Sequence, residues 1–107
     1  DGPLTLDMLR NWVPHVRTLI HCTPVGMSPR VEESCVPTNL FRPELTVMDI
    51  VYNPRETKLL QEAKAADCRT ISGLEMFLNQ AVLQFELWTK QPAPADVMRR
   101  VLESRFG

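Results

Sequence analysis

Glycine is scarce in this chain of 107 residues: there are four, at Gly2, Gly26, Gly73 and Gly107. None of them can build a Gly-x-Gly-x-x-Gly turn, the bare-backbone loop that holds a pyrophosphate at a helix N-terminus, so the chain by itself lacks a primary phosphate cradle. Cysteine is sparse too. Cys22, Cys35 and Cys68 are odd in number and far apart, which suits neither a disulfide framework nor a Cys-x-x-Cys metal site, and no metal is expected. Reduced, partly buried thiols of an intracellular protein are expected instead. Neither sign of charge is in excess: 12 basic and 13 acidic residues leave a net charge of −1, without the basic footprint of a nucleic-acid binder. The two signs alternate along the helical stretches, as on solvated faces. No apolar run approaches the roughly 18 residues of a membrane span, and no basic-then-apolar leader is visible. No membrane partner and a cytoplasmic location are therefore expected. Internal repeats and low-complexity tracts are also lacking.

What is present is ordinary for a soluble globular domain: 44% hydrophobic and 23% charged residues. The length allows one small domain with a thin core. Starting at Asp1-Gly2-Pro3, without an initiator Met, the chain reads as part of something longer.

Leu4 to Val13 has helical spacing at Leu6, Leu9 and Val13, stopped by Pro14. Thr18 to Cys22 is a short apolar run that reads as a buried strand, bounded by Pro24 and Gly26. Residues 23 to 45 are loop by composition, with a turn of helix near Leu40. Thr46 to Val51 is nearly continuous in apolar character, as in a parallel strand covered on both faces, and Asn53-Pro54 ends it. Thr57 to Ala66 is an amphipathic helix carrying Leu59, Leu60 and Ala63 on one face, and Cys68 to Ile71 a third strand. Apolar residues keep the helical period from Gly73 to Thr89, and a last helix runs from about Ala95 to Phe106. Strand, helix, strand implies an α/β fold with a parallel sheet, followed by an all-helical tail.

Three segments carry a resemblance. His21-Cys22-Thr23-Pro24-Val25-Gly26-Met27 resembles Asn-x-Thr-Pro-x-Gly-Met of the shikimate dehydrogenases, which there follows the fourth strand of the cofactor domain. Asp49-Ile50-Val51-Tyr52-Asn53-Pro54, with Thr57 and Leu59-Leu60, is similar to the family's Asp-x-x-Tyr-x-Pro-x-x-Thr-x-Leu-Leu. Gly73-Leu74-Glu75-Met76-Phe77-Leu78-Asn79-Gln80-Ala81, with Phe85, Glu86, Trp88 and Thr89, continues the family's closing-helix pattern. Each segment is weak alone; three in order with matching spacers cover about residues 15 to 104. The resemblance implies the second half of a Rossmann-like parallel sheet of three strands (residues 1–72) followed by C-terminal closing helices (73–107). It implies NADP as cofactor and shikimate or 3-dehydroshikimate as substrate, within a larger enzyme of aromatic amino acid biosynthesis. The Ser-Gly-Leu-Glu-Met-Phe stretch and the Gln-Pro-Ala-Pro near the end also resemble bifunctional enzymes carrying a dehydroquinate dehydratase upstream.

Site residues follow from the same resemblance, each beside a plainer reading. Ligands of open α/β sheets sit beyond the carboxyl ends of the strands, where Thr23, Ile50, Tyr52 and Gly73 fall. Thr23 offers a hydroxyl to the cofactor, although Thr-Pro-x-Gly is also an ordinary turn. Ile50 supplies an apolar wall for the nicotinamide ring, or simple strand core. Gly73 lets a backbone carbonyl approach the carboxamide, or merely starts a helix. Met76 packs on the same ring, or in a core. Tyr52 and Gln80 are the substrate residues, neutral groups matched to a polyol acid, against the alternatives of a half-buried Tyr and a solvated Gln. Asp49 belongs to the strand motif, with a structural role.

Departures and absences limit the reading. His21 stands where the family generally has Asn, with a larger ring that can likewise donate and accept. Asp67 and Lys90 sit at helix ends where relatives commonly carry Gly. The family's catalytic Lys and Asp have no counterpart here, so no catalytic residue is assigned and the segment alone is expected to be inactive. A non-catalytic binding or assembly module, or a relative acting on quinate, fits the same residues. The first strand of a six-stranded fold would normally pair with Thr18 to Cys22, a run with no Lys, Glu or Pro to guard it. Self-association through that edge, or cover by the rest of the parent enzyme, is the expectation.

Overall fold

The computed structural model describes residues 5–106; Leu4 and the residues before it lie outside that range. Helix α1 (Leu6–Trp12) begins at Thr5, whose hydroxyl accepts from the Met8 N–H at 3.2 Å. Pro14 then tightens the chain into a 3-10 turn over Val13–His15. Arg42 seals that end from across the chain, donating to the carbonyls of Val13, at 2.8 Å, and Val16.

Strands β1 (Thr18–His21), β2 (Thr46–Asp49) and β3 (Arg69–Ile71) form one parallel sheet in the order β1-β2-β3. The expected α/β class, the parallel pairing and the turn of helix at Thr38–Leu40 are all present. The strands are shorter than their apolar runs, and β1, expected to be buried, is not: with no strand beyond it among the described residues, Thr18 and Ile20 are exposed and only His21 is buried. β2 stops at Asp49 because its own carboxylate takes the Val51 N–H at 3.0 Å. β3 starts at Arg69 because the Cys68 N–H closes helix α2 on the Ala63 carbonyl at 3.0 Å.

Helix α2 (Lys58–Ala65) is capped by Thr57 and lays Leu59, Leu60 and Ala63 on the sheet. With Leu9, Val13, Val36, Phe41, Leu45 and Val47 these form the core. Helices α3 (Gly73–Thr89) and α4 (Ala95–Phe106) follow, matching the expected bounds. They are tied by a bidentate ion pair, Arg99 to Glu75, whose second arm measures 3.1 Å. Two helix ends take left-handed residues other than glycine, Asp67 at φ 62° and Lys90 at φ 59°. Among the described residues no helix is long and apolar enough to cross a membrane, and no group of His, Cys, Asp or Glu could hold a metal ion.

Candidate functional site

The carboxyl ends of β1 and β2 are held together by one buried polar network. Parallel register sets His21 opposite Asp49. Asp49 is fully buried, and a carboxylate there is tolerable only with every lone pair engaged. Its Oδ1 accepts from the Val51 N–H at 3.0 Å and meets His21 Nδ1 at 2.9 Å. Its Oδ2 accepts from the Thr57 hydroxyl at 2.7 Å, and that oxygen in turn caps α2 by accepting from the Leu60 N–H at 3.3 Å. Asp49 thus joins β1, β2 and α2. The structural role expected for it holds; the partnership with His21 was not foreseen.

Above this network lies a cleft of about 500 Å³. Its walls come from the β1 end (Cys22, Thr23, Pro24), the β2 end (Ile50, Val51, Tyr52) and Phe106 at the end of α4. Three of the six expected site residues, Thr23, Ile50 and Tyr52, therefore share one concavity. Thr23 is exposed at the cleft, and its hydroxyl is hydrogen-bonded to His21 Nε2. Tyr52 is half-buried between two rings, Phe77 at 4.8 Å and Phe106 edge-on at 5.3 Å between centroids.

Gly73 adjoins the cleft through Ile50. A Cβ at Gly73 would come within 2.4 Å of the Ile50 carbonyl oxygen and 2.8 Å of that of Asp49. Only glycine lets α3 start so close to the β2 backbone. Met76 and Gln80 do not line the cleft. Both are exposed, and their spacing from Gly73 puts them on one face of α3, further along the helix. Gly26, with φ 88°, turns the β1 loop so tightly that a Cβ would meet the Glu33 carbonyl at 2.9 Å. Phe106 was missed as a cleft wall; an aromatic residue on the apolar side of the last helix was its one signal.

A larger depression of about 700 Å³ lies along the free edge of β3, lined by Arg55, Glu56, Lys64, Arg69 and Glu75 among others. Its charges are mostly matched: Lys64 pairs with Glu56 at 2.7 Å and Glu75 with Arg99. The Arg99 hydrogen bond holds the Glu75 carboxyl below the ordinary glutamate range. Burial pushes the Cys35 and Cys68 thiols up, so neither is an activated nucleophile.

A parallel sheet with its cleft beyond the strand carboxyl ends puts the chain in the class of dinucleotide-type α/β folds, here three strands followed by two C-terminal helices. Residues 73–103 match the family described as Shikimate 5'-dehydrogenase C-terminal domain. The chain is 46% identical over 99 residues to "Shikimate dehydrogenase (NADP(+))" of Moorella thermoacetica, covering 92% of this chain and 34% of that protein. A crystal structure of a shikimate dehydrogenase in complex with NADP+ superposes with a TM-score of 0.86 at 34% identity, over 92% of this chain and 35% of that one. The shikimate 5-dehydrogenase of Listeria monocytogenes, in complex with shikimate and NAD, gives 0.83 at 37% identity over 90% of this chain and 34% of that one. The chain spans about a third of the length of these relatives. It has the sequence and the fold of the C-terminal part of the shikimate dehydrogenase family.

Proposed function

We propose that the protein carrying this segment is an NADP-dependent shikimate dehydrogenase, interconverting 3-dehydroshikimate and shikimate in the cytoplasm. The segment builds the nicotinamide end of the cofactor site and part of the substrate clamp. Residues 1–72 complete the dinucleotide domain and residues 73–107 close it. The observation that carries this reading is the cleft itself: Thr23, Ile50 and Tyr52 converge beyond the strand ends, with Gly73 pressed against the Ile50 carbonyl.

The cleft walls suit that end of a dinucleotide. Ile50 and Val51 give an apolar wall for a flat ring, the Thr23 hydroxyl gives one polar contact, and Met76, exposed further along α3, offers the ring a second apolar contact. Bound there, the cofactor supplies the hydride. Tyr52 and Gln80 present neutral hydrogen-bonding groups suited to the hydroxyls of a polyol acid. Tyr52 is steadied by Phe77 and Phe106. Proton transfer belongs to a Lys–Asp pair in the preceding part of the protein, so the segment alone is inactive. That preceding part also covers the free edge of β1 and the exposed apolar residues of α3 and α4; without it, β1 pairs with a second copy.

The test is Gln80→Ala in the full-length protein. A neutral hydrogen bond made in ground and transition states alike should appear in KM for shikimate, raised by a factor equivalent to about 1–3 kcal/mol if a hydroxyl is left buried without a partner. NADP affinity should hold. Steady-state kinetics in which only the cofactor parameters move would contradict the assignment.

A further inference from the structure

His21 is the one residue of β1 that the sheet buries, and nothing in the proposed reaction uses it. Its surroundings fix its protonation pattern. The Thr57 hydroxyl, which also accepts from the Leu60 N–H, donates to the Asp49 carboxylate, and Val51 donates a backbone N–H. Asp49 is the acceptor throughout, so His21 Nδ1, 2.9 Å from Oδ1, must carry a proton. A neutral His21 then has a bare Nε2, and its partner there is the Thr23 hydroxyl. A bare nitrogen accepts, which draws the Thr23 proton inward. The Val25 N–H donates to the same oxygen at 3.3 Å. What Thr23 has left for the cleft is a lone pair.

Adding a proton to the imidazole reverses this. Nε2 becomes a donor to Thr23 Oγ1, and the hydroxyl proton has to turn outward. We propose that His21, clamped by Asp49, is a positioning residue that sets the polarity Thr23 shows to the cleft. Thr23 is an acceptor for a ligand N–H while the ring is neutral and a donor once it is charged. The matching ligand group is a primary amide N–H, such as the nicotinamide carboxamide; this rests on the reading of the cleft given above. An Asn in place of His21 does not titrate and has no such switch.

Few other charges reach the ring. Asp49 faces it from β2, and the Cys35 thiol, in the loop after β1, is near enough to feel the Asp49 charge. Cys22, next along the chain, turns its sulfur toward the Ile20 carbonyl at 3.9 Å. Among the described residues no Lys, Arg or Glu lies within ion-pairing distance of His21 or Asp49.

The experiment uses the full-length protein and NADP+, titrated calorimetrically at a series of pH values from about pH 8 to about pH 5.5. Wild type should lose about three- to tenfold more affinity on acidification than His21→Asn, the worth of one hydrogen bond. Subtracting His21→Asn removes the titration of the cofactor phosphate and of other groups. The exposed Thr23→Val, which leaves the His21–Asp49 pair in place, should abolish the same excess. So should the 3-acetylpyridine analogue of NADP+, whose methyl replaces the amide nitrogen. Tight NADP+ binding with identical pH profiles for wild type, His21→Asn and Thr23→Val overturns the switch and leaves the cofactor reading standing. No NADP+ binding at any pH overturns that reading, and the switch with it.

Discussion

The two faces of the sheet are built to different ends. On one, Leu19 and Val47 stand in register beneath α2, and Val47 is fully buried. On the other, Ile20, Met48 and Ile71 form an apolar row across all three strands, yet Ile20 is 55% exposed. The contrast continues into the helices. α2 hides Leu59, Leu60 and Ala63, whereas α3 and α4 leave Leu83, Leu87, Trp88 and Val101 largely in solvent, Trp88 at 75%. One face completes a core with residues of this chain. The other face and the last two helices leave large apolar side chains in solvent. The site lies between the two, at the strand ends.

If that contrast is right, substitutions should hurt folding most where the core is complete. Asp49→Ala is expected to be the most damaging. It leaves the Thr57 hydroxyl, the Val51 N–H and His21 without their buried acceptor, and breaking such a network costs about 3–5 kcal/mol. Urea unfolding of the full-length protein would measure it. A loss no larger than that of a surface substitution would mean that the network does not hold the sheet to α2. Gly73→Ala should come next, at about 1–3 kcal/mol, because the new Cβ meets backbone and not a side chain that can turn away. Its damage should extend to the cofactor, since Ile50 must move to make room. Unchanged NADP binding in Gly73→Ala would separate the α3 start from the cleft.

The same contrast explains what the sequence made legible. Element types were readable wherever one face is apolar and the other polar: the bounds of α3 and α4 match their periodicity, and α2 differs only by its caps. Strand ends were less so, because they are set by single hydrogen bonds, at Asp49 and Cys68, that apolar runs do not reveal. In the site, Thr23, Ile50 and Tyr52 were placed by strand-end position and by family resemblance. The His21–Asp49 pair needs the register of two strands 28 residues apart in sequence, which no local pattern states. A carboxylate inside an apolar strand was nonetheless a signal, since burial obliges it to find partners.

The smallest expected effect lies at the C-terminal end of α3, in the region that the contrast marks as unfinished. Lys90 adopts the left-handed conformation at φ 59°, with its N–H closing the helix on the Glu86 carbonyl at 3.0 Å. A residue with a Cβ in that region costs about 1 kcal/mol relative to glycine. Glu86 also holds the chain beyond the cap, its carboxylate accepting from the Ala93 N–H at 3.0 Å, so the turn is retained without the Lys side chain. Lys90→Gly should therefore raise stability by about 1 kcal/mol in urea unfolding, with shikimate and NADP kinetics unaltered. The sign is the informative part. Stabilisation means that the turn from α3 to α4 is set by the backbone alone. Destabilisation would mean that the Lys90 side chain makes a contact of its own in the full-length protein, on the surface left open here.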